Sequence, residues 1–436
     1  MEFISSLWSI PFLGIIFSMS LLPLLCPNFW NRYASYVSLF WSIIYLFFVY
    51  CFLGVSTIVP AIIEPILTDY IPFIILISTL YIVSGGIFVD FPGYGGPLFN
   101  TLFLFFGSIV AGWIGTTGAT ALLIRPFLRA NHHRKYKTHL TVFFIFLIAN
   151  IGGAATPLGD PPLFIGFLKG INFFWFIKQL YPVLFCTTLV LCLLFFMVDS
   201  ILFKMDPVAL PNKKEKVALK IQGMSNIILF IPILLTVILC NFSGSFSLYG
   251  EKFSYSSILR NFLLVTISLI SLKITPAIIR EKNRFSIAPI KEIAELFAGI
   301  FITVTPIIHI LHQGTSGEFG HLLNWIAPGG EFVASRCFWV SGLLSSILDN
   351  APTFLIFFHL TSGDPMVLMT AKSNILTAFS ISTVFMGALT YIGNAPNLIV
   401  KSISTDYSVK VPSFLGYVGW AFAILVPIFA VISYFL

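Results

Sequence analysis

Two carboxylates sit where an apolar chain has least reason to hold them. Asp160 closes the stretch N-I-G-G-A-A-T-P-L-G-D-P-P from Asn150 to Pro162, and Asp349 opens D-N-A-P from Asp349 to Pro352. Neutral oxygen donors lie around them: Asn150 and Thr156 near Asp160, Asn350 next to Asp349, and Thr390, Asn394 and Asn397 in or beside Y-I-G-N-A-P-N from Tyr391 to Asn397. A further set, Thr116, Thr117 and Thr120, flanks Gly115 and Gly118. Oxygens of this kind suit a hard cation. A carboxyl withdrawn from water resists ionisation, so it can exchange a proton for a metal ion near neutral pH, which is the chemistry of antiport. A site for a dicarboxylate or citrate would keep its helix N-termini free of fixed anions, so two aspartates favour a cation unless sodium itself neutralises them. The expected ion site is therefore Asp160 and Asp349 as sodium ligands, completed by Asn350, Thr117, Thr120, Asn150, Thr156, Asn394 and Asn397. The competing reading makes Asp160 a helix N-cap before Pro161 and Pro162, and Asp349 a cap before Pro352 and Thr353. A serine or asparagine caps equally well without an ionisable group at depth, and an intramembrane acid is a functional candidate by default.

The elements that carry these residues are interrupted ones. Both stretches lie inside long apolar runs, yet their Gly, Pro and polar residues are ones that no continuous helix selects. Their shared core, Gly159-Asp160-x-Pro162 against Gly393-Asn394-x-Pro396, points to a duplication that placed one break in each half. Unwound backbone in hydrocarbon costs several kcal/mol per unsatisfied group, so it persists only where protein or a water-filled cavity satisfies it. Discontinuous helices in matching positions of two halves mark a substrate site at the bilayer midplane.

Composition places the chain in a membrane. A mean hydropathy of +0.97, with 58% hydrophobic and 9% charged residues, excludes a soluble domain of 436 residues. The first apolar stretch, Trp8 to Cys26, has no basic segment ahead of it and reads as a retained span rather than a signal peptide. Apolar runs give spans near 8–27, 35–57 and 69–89, a re-entrant hairpin at about 97–130 with arms too short to cross, a broken span at 138–172 and a span at 173–203. The order repeats: spans near 225–242, 254–276 and 291–312, a hairpin at about 333–362, a broken span at 365–405 and a last span at 411–436. A shift of 232 residues aligns Ala119, Leu123, Ile124 and Leu128 with Ala351, Leu355, Ile356 and Leu360.

The expected fold is an all-α polytopic membrane protein of two inverted repeats, residues 1–204 and 225–436, joined by a basic linker at 205–224. Each repeat has five transmembrane helices, one of them broken, and a re-entrant hairpin; an odd number of crossings inverts the second repeat. This topology puts 18 of the 24 Lys and Arg residues on one side, which the positive-inside rule makes cytoplasmic, with both termini outside. The basic run Asn131 to His139 reads as a solvated loop rather than a nucleic-acid patch, and the net charge of +7 is explained by topology.

Other side chains carry less. Cys26, Cys51, Cys186, Cys192, Cys240 and Cys337 have no paired metal-ligand spacing. Glu292 and Glu295 read as dipole partners at a helix start or as a proton relay, and His309 and His312 as interfacial hydrogen-bonding groups or pH sensors.

The chain resembles the ion transporter superfamily, in particular NhaD-type sodium/proton antiporters and the related citrate transporter family. G-G-A-x-x-P-x-G-D from Gly152 to Asp160 is similar to the antiporter signature, and D-N-x-P from Asp349 to Pro352 to its second-half partner. The continuation Pro161-Pro162-Leu163-Phe164 resembles the citrate-like branch, while neither hairpin tip carries the Ser-Asn-Thr of sodium-coupled dicarboxylate carriers. The resemblance implies elevator-like motion, a homodimer, and a place in the lipid bilayer of the bacterial cytoplasmic membrane. It also implies a small inorganic ion or carboxylate as ligand, with sodium and protons as transported or coupling ions, no cofactor and no nucleic acid. The expected function is secondary active transport by sodium/proton antiport. The alternatives are sodium-coupled carboxylate transport and export of arsenite or another anion. An intramembrane hydrolase using Asp160 and Asp349 as a carboxyl pair, and a passive channel, fit duplicated breaks less well than alternating access does.

Overall fold

The fold is described from a computed structural model covering residues 6–91, 94–206, 220–240, 242, 244–248, 251–312 and 320–436. It is an all-α polytopic membrane fold. Among the described residues, seven stretches are long and apolar enough to cross a bilayer: Arg32–Leu53, Thr57–Ser84, Pro97–Ile114, Thr138–Ala155, Phe173–Lys204, Tyr255–Ile274 and Phe414–Phe435. Shorter apolar helices include Met224–Leu239, Ala334–Leu348 and Ser373–Leu389. Strands among the described residues are confined to two short antiparallel pairs, Phe88–Asp90 with Lys220–Gln222 and Ser245–Leu248 with Glu251–Ser254.

Two pairs of consecutive helices lie in the stretches read as hairpins. The first is Pro97–Ile114 and Thr116–Ala130 about Gly115, and the second Ala334–Leu348 and Asn350–Thr361 about Asp349. The first arm of the first hairpin departs from expectation: its 18 residues are long enough to cross. The broken spans resolve into Thr138–Leu147, Ile151–Ala155 and Pro161–Leu168 in the first half, and Ser373–Met386, Gly387–Leu389 and Ala395–Asp406 in the second. The span expected at 291–312 divides into Ala288–Thr303 and Thr305–His312. Pro306 follows the division, and having no N–H it cannot donate to Ile302 as a continuous helix requires.

Two groups of helices emerge from the packing. Hairpins and broken helices pack on one another across the halves: Thr116–Ala130 lies on Ala395–Asp406, and Asn350–Thr361 on Pro161–Leu168. Around them stands a frame in which Ile10–Leu25 and Ala288–Thr303 flank Pro27–Leu53, and Tyr255–Ile274 lies along Ile71–Ser84. Every residue from His139 to Leu147 is buried, so the first broken helix meets protein rather than lipid all round, the condition under which a break is tolerated.

The base of the first hairpin holds a buried polar cluster that corrects the reading of 131–139 as a solvated loop. Asn131, Arg134 and His139 are buried there, although Lys135 is exposed. Asp199 Oδ1 meets Arg134 Nη2 at 2.5 Å and His139 Nε2 at 2.7 Å, and its Oδ2 accepts from Asn100 Nδ2 at 3.0 Å. Asn100 and Asn131 exchange side-chain amide hydrogen bonds, each of 2.9 Å. The linker expected at 205–224 falls largely on residues 207–219, which lie outside the described residues.

Asp199→Ala would leave Arg134 buried without its carboxylate, a loss on the order of 3–5 kcal/mol. Thermal unfolding in detergent should show a clear drop for Asp199→Ala. For Lys135→Ala, exposed in the same loop, the expected change is about 0.5 kcal/mol or less. Equal effects of the two substitutions would mean that the cluster does not anchor the hairpin.

Candidate functional site

Each break is held open by one threonine hydroxyl. After the first helix segment the chain makes a short 3-10 turn and enters extended backbone at Thr156 (φ −146°, ψ 165°); the second half repeats this at Thr390 (φ −133°, ψ 165°). Thr156 Oγ1 donates to the Gly112 carbonyl at 2.5 Å and accepts from Leu158 N–H at 3.0 Å. Thr390 Oγ1 donates to the Ser346 carbonyl at 2.6 Å and accepts from the N–H groups of Ile392 and Gly393 at 3.2 and 3.0 Å. Thus a hydroxyl expected as an ion ligand, Thr156, instead ties the break to the first arm of its hairpin. Gly159 and Gly393 lie against the carbonyls of Gly153 and Gly387, where a Cβ would collide with backbone.

The two tip-and-break units share one register. Asp160 (φ −141°, ψ 146°) and Asn394 (φ −156°, ψ 134°) are 234 residues apart and occupy the same place before a proline-led half-helix. Gly115 and Asp349 correspond at the tips, as do Thr116 and Asn350 one residue later. The 232-residue alignment of hairpin side chains is therefore replaced by the 234-residue register that governs the breaks.

Side chains from both halves meet at Asp160. Its Oδ1 accepts from Thr116 Oγ1 at 2.7 Å and from Asn394 Nδ2 at 3.3 Å, and its Oδ2 accepts from Asn350 Nδ2. Asn394 Nδ2 also lies 3.2 Å from Asn150 Oδ1, and Asn150 Nδ2 donates to Asn397 Oδ1 at 2.7 Å. Asn397 Nδ2 closes the chain on the carbonyls of Gly387 and Thr390, each at 2.9 Å. Asn150 and Asn397 thus stitch one break to the other, while Asn350 and Asn394 converge on the carboxylate.

Asp160 is 2% exposed, and its carboxylate makes no capping bond to its own half-helix. The N-cap reading fails for this residue. No Lys, Arg or His pairs with it among the described residues. Three uncharged donors hold a buried carboxyl group that lacks a counter-ion, and ionising it unpaired out of water would carry a penalty of several kcal/mol. The Asn350 amide that donates to it leaves its own Oδ1 buried without a hydrogen-bond partner, and Thr120 Oγ1 is buried and unpartnered as well. Thr117 is half-buried and lines the cavity beside Asp160. The carboxylate, the threonine hydroxyls and the unpartnered Asn350 Oδ1 are hard oxygen donors, while Asn350 and Asn394 turn their Nδ2 groups to Asp160.

Asp349 behaves differently. Its Oδ1 accepts the Asn350 N–H at 2.6 Å, so the capping reading holds for it, and Asn350 spans the two carboxylates, backbone to one and side chain to the other. Its backbone (φ 76°, ψ 152°) matches that of Gly115 (φ 84°, ψ 141°), a region that an L side chain enters at a cost of about 1–3 kcal/mol.

Asp160 and Asp349 line different cavities among the described residues. Asp160 lines a cavity of about 30 Å³ with Thr117, Leu76, Leu80 and Phe164. Asp349 lies on the wall of another, about 770 Å³, with Tyr81, Arg125, Arg284, Glu292, Lys401 and Asp406. Arg125 and Lys401 are functional candidates that sequence reasoning assigned only to topology. The sole hint was their position, four or more residues into helices that leave a tip or a break. Glu292 reaches the wide cavity, whereas Glu295 accepts from Ser35 Oγ within the frame. The side chains of His309 and His312 lie outside the described residues.

A profile of one protein family covers residues 1–436, the whole length, under the description putative citrate transport. The chain belongs to that family. No curated protein matches it. The transporter's broken helices and hairpin tips, reached by a wide cavity, are what a solute-moving protein requires, and membership of a transport family supports transport over the hydrolase reading.

Asp349→Gly gives the 349 position the residue that its counterpart Gly115 already has. Release of strain should outweigh the lost cap, raising stability by about 1 kcal/mol while deleting the carboxylate from the cavity. Thermal unfolding of the purified variant checks this. A lower midpoint than the parent's would show that Asp349 is held for packing rather than for its charge.

Proposed function

We propose that the protein is a cation-coupled secondary transporter that exchanges sodium for protons, with Asp160 as the group that binds one or the other. The observation that carries this reading is the Asp160 carboxylate, buried and met by Thr116, Asn350 and Asn394 with no basic partner among the described residues. Such a group is stabilised by a proton or a monovalent cation, and either can be taken up at the same oxygens. Asp349, at the inner wall of the wide cavity, is a second anionic group on the path, and Asn350 links it to Asp160. Recurrence of one tip-and-break geometry at a spacing of 234 residues supports the inverted-repeat reading. The basic residues Arg125, Arg284 and Lys401 around the wide cavity support a cytoplasmic opening there.

A second reading, sodium-coupled uptake of a carboxylate, is favoured by the family's description and by those same basic side chains on a cavity roomy enough for an organic acid. In it Asp160 serves the coupling ion and the cavity serves the solute.

Everted vesicles carrying the protein should lose an imposed acid gradient when sodium is added, and Asp160→Asn should reduce that response to the level of empty vesicles while the protein remains folded. If sodium leaves the gradient intact for the parent protein, exchange is ruled out. Uptake of labelled citrate driven by a sodium gradient would then decide for the second reading.

A further inference from the structure

The half-helix Pro161–Leu168 has Asp160 at its start and Lys169 at its end. Lys169 Nζ lies 2.8 Å from Asp69 Oδ2, and Asp69 sits in the single π-helical turn Pro65–Tyr70 that leads into the frame helix Ile71–Ser84. That frame helix works as a ruler. Asp69 precedes it, Leu76, Ile77 and Leu80 in its middle wall the small cavity beside Asp160, and Tyr81, Ser84 and Gly85 at its far end wall the wide cavity. The ion pair and the wide opening therefore lie at opposite ends of the path, with Asp160 between them. A second contact strengthens the closed end: Arg260, on the frame helix Tyr255–Ile274, places its guanidinium carbon 5.8 Å from the centre of the Phe167 ring on the same half-helix.

We infer that Asp69 and Lys169 form a latch between frame and moving unit that closes the site on the side away from the wide cavity. Transport by alternating access requires that closed side to open, and it opens only when the half-helix parts from the frame there. The two residues touch neither cavity, so they position the half-helix rather than bind the solute. Because Lys169 and Asp160 terminate one rigid segment about 12 Å long, movement of the latch moves the site carboxylate with it. The inference rests on membership of a transport family and not on the identity of the ion.

Cysteine accessibility in proteoliposomes tests the latch without any ion flux. In a background with the six native cysteines replaced, Ile77→Cys reports on the small cavity and Ser402→Cys on the wide one. With a membrane-impermeant maleimide, Asp69→Asn or Lys169→Met should raise labelling at 77 about fivefold, as loss of one partly buried ion pair permits, and should lower labelling at 402. The charge-swapped pair, Asp69→Lys with Lys169→Asp, should return both rates toward the parent's. Unchanged labelling would overturn the latch. So would a swapped pair that behaves like the single variants, or gains at both reporters together, which mark general loosening rather than a switch between open sides.

Discussion

Backbone that leaves a helix inside a membrane has to find its hydrogen bonds within the protein, and this requirement organises the centre of the molecule. Each break answers it with a threonine bound to the neighbouring hairpin arm and with a glycine that lets two backbone segments touch. Other bonds join the halves: Asn394 donates to the Ala149 carbonyl, and Asn397, which holds the carbonyls of Gly387 and Thr390 in its own half, accepts from Asn150. The two breaks cannot be separated without stranding these groups, so hairpins and broken helices form one unit.

Within the unit, polar side chains divide into those that hold the backbone and those that keep unmatched polar atoms. Thr156, Thr390, Asn150 and Asn397 belong to the first set, because their donors and acceptors are taken up by carbonyls, amides and one another. Asp160, with Asn350, belongs to the second, since the carboxylate lacks a counter-charge and the amide keeps a buried oxygen without a donor. The division follows from geometry and not from residue type: threonine and asparagine occur in both sets.

Much of the fold was legible in the sequence because Gly, Pro and polar residues interrupt apolar runs only at considerable cost. That is why both hairpin tips, both breaks and Asp160 were located from residue order alone. The register between halves was only half legible, since the Gly-Asp/Asn-x-Pro match gave 234 residues while apolar hairpin side chains, which match at several shifts, gave 232; the backbone angles at Gly115 and Asp349 agree with the former. Contacts between distant residues were equally hidden. Asp199 lies 99 residues from Asn100 and Lys169 lies 100 from Asp69, and nothing local distinguishes these pairings from ordinary membrane-edge charges. The bonds of Thr156 to backbone were hidden for a related reason, as a hydroxyl near a carboxylate looks the same in sequence whichever groups it meets.

The shared register has a consequence for how such a protein can diversify. Asp160 and Asn394 stand on superposable backbone at equivalent positions, and they differ by an oxygen in place of an amide nitrogen. One half supplies an ionisable carboxyl group and the other its neutral isostere. Exchanging aspartate and asparagine at these two places would change how many charges the centre carries without asking the main chain to move. The number of ionisable groups at the centre is thus a property that single-nucleotide steps can retune on this scaffold, independently of its architecture.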